Sequence, residues 1–120
     1  MKNYDLKYDG GKNRIYITFK DSLKVDEAKA YLKDLKQLIT TTKPNLTVCL
    51  DVSCDPVHSK EVDALFNEGR QALVEKGLKG IGTVMSKSSI AKMQVKRTLK
   101  DLNNNIFASK TEAEKYLDSL

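Results

Sequence analysis

The residues best able to do chemistry lie in one short stretch, between a predicted strand and a predicted helix. His58 is the only histidine, and Cys54, Asp55 and Ser59 stand close to it in sequence. A histidine beside a thiol or a hydroxyl is the arrangement that nucleophilic catalysis requires. Side chains so close in sequence rarely aim at one point, however, and no glycine pair for an oxyanion hole accompanies them. We therefore expect no catalytic activity, and an enzyme centred on His58 and Cys54 is the weaker alternative.

Metal and nucleotide sites find little support in the sequence. Cys49 and Cys54 form one loose pair, whereas a structural zinc site needs four ligands, usually from two close pairs. We expect Cys49 to be a small core residue and Cys54 a free thiol near a loop. The glycines Gly77, Gly80 and Gly82 have the order G-x-x-G-x-G, which is not the dinucleotide fingerprint G-x-G-x-x-G. The sequence thus predicts no metal and no cofactor.

Asp51 and Ser53 end the predicted central strand. Magnesium-dependent phosphoryl-transfer enzymes keep carboxylates at such a position, but they also recruit further carboxylates and a lysine, and no second cluster of this kind is found. The simpler interpretation is that Asp51 accepts hydrogen bonds from loop amides. In open α/β sheets, ligands bind at the carboxyl ends of the strands. The loop from Ser53 to Ser59 is therefore a candidate binding site.

The net charge of +5 is concentrated in one segment. From Lys76 to Lys100 the chain has seven basic residues and no acidic one. A predicted helix there carries a basic face formed by Lys92, Lys96, Arg97 and Lys100. Such a face can meet phosphates, an anionic lipid surface or an acidic partner, and a solvated helix face is the alternative. No aromatic residue lies between Phe66 and Phe107 to stack on bases, so nucleic acid is not an expected partner.

The elements that position these residues follow from hydrophobic periodicity. Two alternating segments joined by a Gly-rich turn predict an antiparallel hairpin over residues 4–19. Helical spacing and compact apolar runs then alternate along the rest of the chain. The predicted helices are 26–39, 62–76, 90–102 and the segment after 109, and the further strands are 46–52, 81–85 and 106–108. This β-β-α-β-α-β-α-β-α order predicts an α/β fold with a mixed, largely parallel sheet, an N-terminal antiparallel hairpin and helices packed on it.

Length and composition limit the class of protein. The chain has 120 residues, 40% of them apolar, which fits one domain over residues 1–120 with a single core. No linker divides it, and two cysteines cannot form a disulfide-dense scaffold. The start lacks the apolar run of a signal peptide, and no segment approaches the ~20 apolar residues that span a bilayer. These features predict a soluble, cytoplasmic domain.

Two stretches resemble the STAS domain, the module of bacterial anti-sigma factor antagonists and of the cytoplasmic tails of sulphate transporters. In that family a central strand ends in Asp-Leu-Ser, and an Asp-Ser-Ser-Gly-Leu motif opens the next helix. The corresponding stretches here are Leu50–Ser53 (Leu-Asp-Val-Ser) and His58–Val62 (His-Ser-Lys-Glu-Val). Residues 106–113 are similar to the family's short last strand and following helix. With the order of elements, the resemblance covers nearly the whole chain.

The resemblance implies a regulatory domain that binds a protein partner and catalyses no reaction. Anti-sigma factor antagonists bind a partner kinase, an anti-sigma factor, which phosphorylates the serine at the helix start and so ends the interaction. Ser59 stands at that position, while His58 replaces the motif's aspartate and Glu61 its glycine. The partner-binding or phosphorylation residues expected in this way are Ser59, His58, Asp51 and Ser53. The alternative for Ser59 is a helix N-cap.

A second hypothesis belongs to another functional class. Some STAS-like domains are associated with lipids or nucleotides, so the resemblance also allows a small-ligand or anionic-lipid binding domain. Such a domain would use the strand-end loop and the basic third helix. The sequence leaves the identity of the partner or ligand open.

Overall fold

The computed structural model describes residues 3–54, 56–86, 88 and 104–120. These residues form one five-stranded mixed sheet with helices on both faces, which confirms the predicted α/β class. The predicted helix over 90–102 lies outside the described residues. In chain order the elements are β1 (Tyr4–Asp9), β2 (Arg14–Phe19), α1 (Val25–Ile39), β3 (Thr47–Asp51), α2 (Lys60–Lys76), β4 (Gly80–Val84), β5 (Asn104–Phe107) and α3 (Lys110–Asp118).

The strands lie in the sheet in the same order as in the chain. β1 and β2 form the predicted antiparallel hairpin, with Tyr4 opposite Phe19 and Asp9 opposite Arg14. Every other neighbouring pair is parallel, and β3 occupies the centre. The carboxyl ends of β2, β3, β4 and β5 therefore meet at one end of the sheet. β5 begins two residues earlier than the periodicity predicts, because the asparagines at its start pair with β4.

The sheet has two faces of different size. On the larger one, which we call the α1–α2 face, both long helices pack on alternate residues of β2, β3 and β4, among them Ile15, Val48 and Ile81. On the smaller one, the α3 face, Cys49 and Val84 pack against Ala113 and Leu117 of α3. The alternation of side chains along each strand divides the two cores.

Glycine permits close packing at two points. A Cβ atom on Gly69 of α2 would lie 3.0 Å from Leu35 of α1, so the two helices approach closely there. A Cβ on Gly82 of β4 would lie 3.2 Å from the Cβ of Ala113, which brings α3 against the sheet. Gly77 ends α2 with φ of 105°, in the left-handed region that only glycine adopts without strain. Gly77 thus allows the turn after α2, and Gly82 allows the close approach of α3 to the sheet.

Asn13 joins the loops at the amino end of the parallel strands. Its side chain accepts hydrogen bonds from the backbone N–H of Lys43 (3.0 Å) and from the hydroxyl of Tyr8 (2.7 Å). Its amide group donates to the carbonyl oxygens of Lys43 and Pro44. The backbone N–H of Asn45 in turn donates to the carbonyl of Gly77 at 2.8 Å. The hairpin turn, the α1–β3 loop and the end of α2 are therefore linked to one another.

Candidate functional site

A cavity of about 450 Å³ lies between the sheet and the two helices of the α1–α2 face. Its floor is formed by strand residues that include Ile17, Val48 and Leu50, and its walls by side chains of α1 and α2. The loop from Val52 to His58 borders it. We call this space the α1–α2 cavity. It lies towards the carboxyl ends of the parallel strands, where open α/β sheets bind their ligands.

An aromatic cluster forms the wall of the cavity. Phe19, at the end of β2, contacts Tyr31 of α1 and Phe66 of α2, with ring centroids 5.4 and 5.2 Å apart. Tyr31 and Phe66 are 5.3 Å apart and almost perpendicular. His58 packs edge-on against Phe66 at 4.7 Å and against Phe19 at 5.9 Å. Ring pairs at these distances and angles are favourable beyond the area they bury, so the cluster fixes where the imidazole of His58 lies.

Among the described residues, three lining side chains carry nitrogen or oxygen atoms: Tyr31, His58 and Arg70. The Nε2 atom of His58 is buried and has no hydrogen-bond partner in the described part of the chain. Burial lowers the pKa of His58 below its ordinary value, and the negative charge of Asp63 acts in the opposite direction. The imidazole is therefore neutral at pH 7, and one of its two ring nitrogens is a donor and the other an acceptor.

Arg70 is half-buried on the cavity-facing side of α2. Among the described residues no carboxylate lies within ion-pair distance of its guanidinium. Burial raises the pKa of Tyr31, while the positive charge of Arg70 acts to lower it, so the two groups are close enough to interact. The hydroxyl of Tyr31 consequently remains protonated and can donate a hydrogen bond at neutral pH.

Asp51 and Ser53 form a closed local turn. The Oδ1 atom of Asp51 accepts hydrogen bonds from the backbone N–H and the hydroxyl of Ser53, at 2.9 and 2.7 Å. This is the loop-amide role predicted for Asp51. The backbone N–H of Val57 donates to the hydroxyl of Ser22 at 2.7 Å and ties the same loop to the segment before α1.

The residues of the weaker catalytic hypothesis have separate partners. The Cys54 thiol is exposed and donates to the carbonyl oxygen of Phe19 at 3.1 Å. Within the described residues, the imidazole of His58 forms no hydrogen bond to that thiol. Cys49 is buried in the α3 core, where burial raises the pKa of its thiol. The expected core and loop environments of the two cysteines are confirmed. In the part of the chain that the structure describes, no three potential metal ligands lie close enough to hold an ion.

Ser59 is the N-cap of α2, as the capping alternative predicts. Its hydroxyl accepts a hydrogen bond from the backbone N–H of Val62 at 3.3 Å, and its backbone is extended. Glu61 and Asp63 place two negative charges in the first turn, where they interact favourably with the helix dipole. Ser59 remains exposed, so the cap does not hide its hydroxyl from other molecules.

The basic face cannot be placed in this fold. Lys92, Lys96, Arg97 and Lys100 lie outside the described residues. Of the two parts expected for a small-ligand or anionic-lipid binding domain, the structure therefore describes the strand-end loop, Ser53 to Ser59 apart from residue 55, and not the basic third helix.

Sequence reasoning missed Tyr31, Phe66 and Arg70 as site residues. Tyr31 and Phe66 carry an ordinary helical core spacing, and nothing in that spacing separates a packed core from a core with a cavity. Arg70 did leave a signal, because it falls on the stripe of α2 that Val62 and Phe66 define at intervals of four residues. A cation on an otherwise apolar stripe is the kind of exception that marks a site.

No described helix has the length and apolar character to cross a membrane. In comparisons with known proteins, no family model matches the chain, and the search of curated proteins finds no significant match.

Proposed function

We propose that the protein is a non-catalytic domain that binds a small, largely apolar molecule in the α1–α2 cavity. The observation that supports this is the cavity itself. Its volume of about 450 Å³ falls within the ~300–1,000 Å³ typical of small-molecule sites. It is lined mostly by aliphatic and aromatic side chains with few polar groups, which is the usual composition of such sites.

The physical reason is the contact that a filled cavity restores. Interior side chains such as Leu50 and Ile81 that face an empty space lose dispersion contacts on that side. An apolar ligand regains these contacts and removes its own surface from water, at about 25 cal/mol per Å². The small-ligand alternative drawn from the sequence therefore has the stronger support, with the strand-end loop at its border.

Binding of N-phenyl-1-naphthylamine, a neutral apolar fluorophore, tests the proposal. The wild-type protein should enhance its fluorescence saturably with one site per chain. The double variant Leu50→Trp, Val52→Trp adds two indoles to the cavity lining and should abolish the enhancement. A matched control adds two indoles at exposed positions, Val74→Trp and Leu120→Trp, and should bind as the wild type does.

Two results would overturn the proposal. One is the absence of saturable binding to the wild-type protein. The other is equal binding by the cavity double variant and by the control, provided that both have the wild-type circular dichroism spectrum.

A second candidate is the regulatory protein-interaction function that the STAS resemblance implies. It is supported by Val57, whose side chain is 80% exposed next to the exposed Ser59. A protein that binds this loop would contact both side chains, because both are exposed just before α2. The partner would be a protein that binds the loop and the start of α2, such as a regulatory kinase.

Site-specific photo-crosslinking tests whether the protein-interaction function is real or whether the loop makes only non-specific contacts. A crosslinking amino acid in place of Val57 should capture a discrete protein in cells, and the capture should fall when Ser59 is changed to Glu. The same amino acid at Val74, an exposed residue of α2, is the control. Capture of the same proteins from both positions would contradict the candidate.

A further inference from the structure

The polar groups that line the α1–α2 cavity indicate what kind of ligand it takes. In the part of the chain that the structure describes, the lining side chains with nitrogen or oxygen atoms are Tyr31, His58 and Arg70. None of the three has a hydrogen bond or an ion pair with the described residues. The Nε2 atom of His58 is buried, and buried polar groups in folded proteins are nearly always paired, so this atom points to a partner that enters from outside. The phenol of Tyr31 and the guanidinium of Arg70 line the same cavity and are available to that partner.

Arg70 sets the charge of that partner. Its guanidinium is half-buried beside an apolar space, and a ligand that fills the space would remove more of its water. A neutral ligand would leave the positive charge desolvated and without a counter-charge, which is unfavourable. An anionic group would compensate the charge, and the planar guanidinium can bind a carboxylate or a phosphate through two parallel hydrogen bonds.

The other arginine in the described part of the chain, Arg14, can be compared with Arg70. Arg14 is 2% exposed and has two acidic neighbours, Asp118 at 2.8 Å and Glu114 at 3.8 Å. Its charge is neutralised by the protein itself. Arg70 has no such neighbours in the described residues, so its positive charge is available there to an anionic group of the ligand.

Tyr31 and His58 are suited to complete the recognition of an acid group. Both rings pack against Phe66, which brings them to the same part of the cavity wall. The phenol of Tyr31 is protonated at neutral pH and donates, and the neutral imidazole of His58 can donate through Nε2 in one tautomer. Neither adds a charge, so among the described lining residues Arg70 carries the positive charge.

The volume limits the apolar part of the ligand. The cavity volume of about 450 Å³ lies in the lower half of the ~300–1,000 Å³ range of small-molecule sites. One acid group with a chain of about a dozen carbons meets this limit. A membrane phospholipid with two long chains exceeds it.

We infer that the cavity binds a single-chain anionic amphiphile, with the acid group at Arg70, Tyr31 and His58 and the chain against the apolar floor. This inference rests on the proposed function and adds the chemistry of the ligand. The head group is an acid of the carboxylate or phosphate type, and the experiment below distinguishes the two.

Calorimetric titration with three probes of equal chain length tests it: dodecanoate, dodecyl phosphate and dodecanol, each below the concentration at which it aggregates. The wild-type protein should bind at least one of the two acids about tenfold to a hundredfold more tightly than dodecanol, as expected for charge-assisted hydrogen bonds of ~1.5–3 kcal/mol. The tighter of the two acids identifies the head group.

Variants assign the preference to Arg70. Arg70→Met should reduce the affinity for the acid to that for dodecanol, while dodecanol binding changes less than about twofold. Arg70→Lys, which keeps the charge without the planar fork, should retain part of the preference. Lys33→Met removes an exposed positive charge from α1 and should leave all affinities unchanged.

Each outcome has a distinct meaning. If no probe binds the wild-type protein, the proposed function fails and this inference fails with it. If dodecanol binds as tightly as both acids, or if Arg70→Met keeps the preference for acid, the cavity is an apolar site and only the inference about the head group is overturned. Should Arg70→Met not fold, the comparison between wild type and Arg70→Lys decides.

Discussion

The two faces of the sheet use charged residues in opposite ways. On the α3 face, Arg14 is buried, donates to the hydroxyl of Thr47 at 3.0 Å and pairs with Asp118 of α3 at 2.8 Å. The hydrogen bond from Arg14 holds the pKa of Asp118 below its usual range. On the α1–α2 face, Arg70 has no acidic partner among the described residues and borders a cavity.

The difference separates structural charges from charges available for binding. A buried cation that the fold pairs with a carboxylate holds two elements together, here the start of β2 and the end of α3. A cation of the same type that the fold leaves without a partner contributes little to holding the chain together and is free for a ligand. Three predictions test this contrast, from the largest effect to the smallest.

Replacing each arginine by alanine should separate the two roles most clearly. Arg14→Ala removes a buried charge together with its hydrogen bonds to Thr47 and Asp118, and we expect a loss of about 3 kcal/mol in the free energy of unfolding. Arg70→Ala breaks no hydrogen bond with the described residues, and we expect a loss below about 1 kcal/mol. Urea denaturation of the wild type and both variants measures the difference. Equal losses would show that the contrast between the faces is wrong.

Adding side-chain volume should also affect the faces unequally. A Cβ atom added to Gly82 would lie 3.2 Å from the Cβ of Ala113, and Gly82→Val adds two further methyl groups there. Overpacking of this kind costs about 1–3 kcal/mol. Leu50→Phe adds volume next to the cavity and should change the stability by less than about 1 kcal/mol, since space is present. Thermal denaturation followed by circular dichroism gives both values. A larger loss for Leu50→Phe than for Gly82→Val would mean that the cavity is not available in solution.

The smallest effect concerns the pH dependence of stability. Burial lowers the pKa of His58 from its ordinary value of 6.5, so just below that pH the unfolded chain binds a proton that the folded chain does not. The free energy of unfolding should therefore fall as the pH falls through 6.5, until the folded-state pKa is reached. His58→Phe should flatten this part of the profile between about pH 8 and 5. Because His58 is the only histidine, an unchanged profile would contradict its burial beside Phe66.

The fold was predictable where one physical pattern determines the structure. The alternation from Tyr4 to Phe19 identified the hairpin, and the compact run around Val48 identified the central strand, since a strand covered on both faces needs apolar residues throughout. The cap at Ser59 was predicted as an alternative because a serine just before a helix can accept a hydrogen bond from a backbone N–H of the first turn.

The site was less predictable because it depends on contacts between distant segments. Phe19, Tyr31 and Phe66 come from three elements, and their spacing in sequence describes only which face each occupies. Whether the side chains fill the space between the sheet and the two helices depends on packing, and hydrophobic periodicity carries no information about packing. For the same reason the burial of Arg14 was not predicted, since its partner Asp118 lies 104 residues away in the chain.

The position of Asn13 has a consequence for how the protein can change. Its hydrogen bonds join the hairpin turn to the α1–β3 loop at the amino end of the sheet, while the cavity and the loop from Val52 to His58 lie towards the other end. Strand register is thus secured at a distance from the site. Substitutions in the carboxyl-end loop can alter which molecule is accepted without disturbing the alignment of the strands, which makes this framework suited to the evolution or design of new specificities.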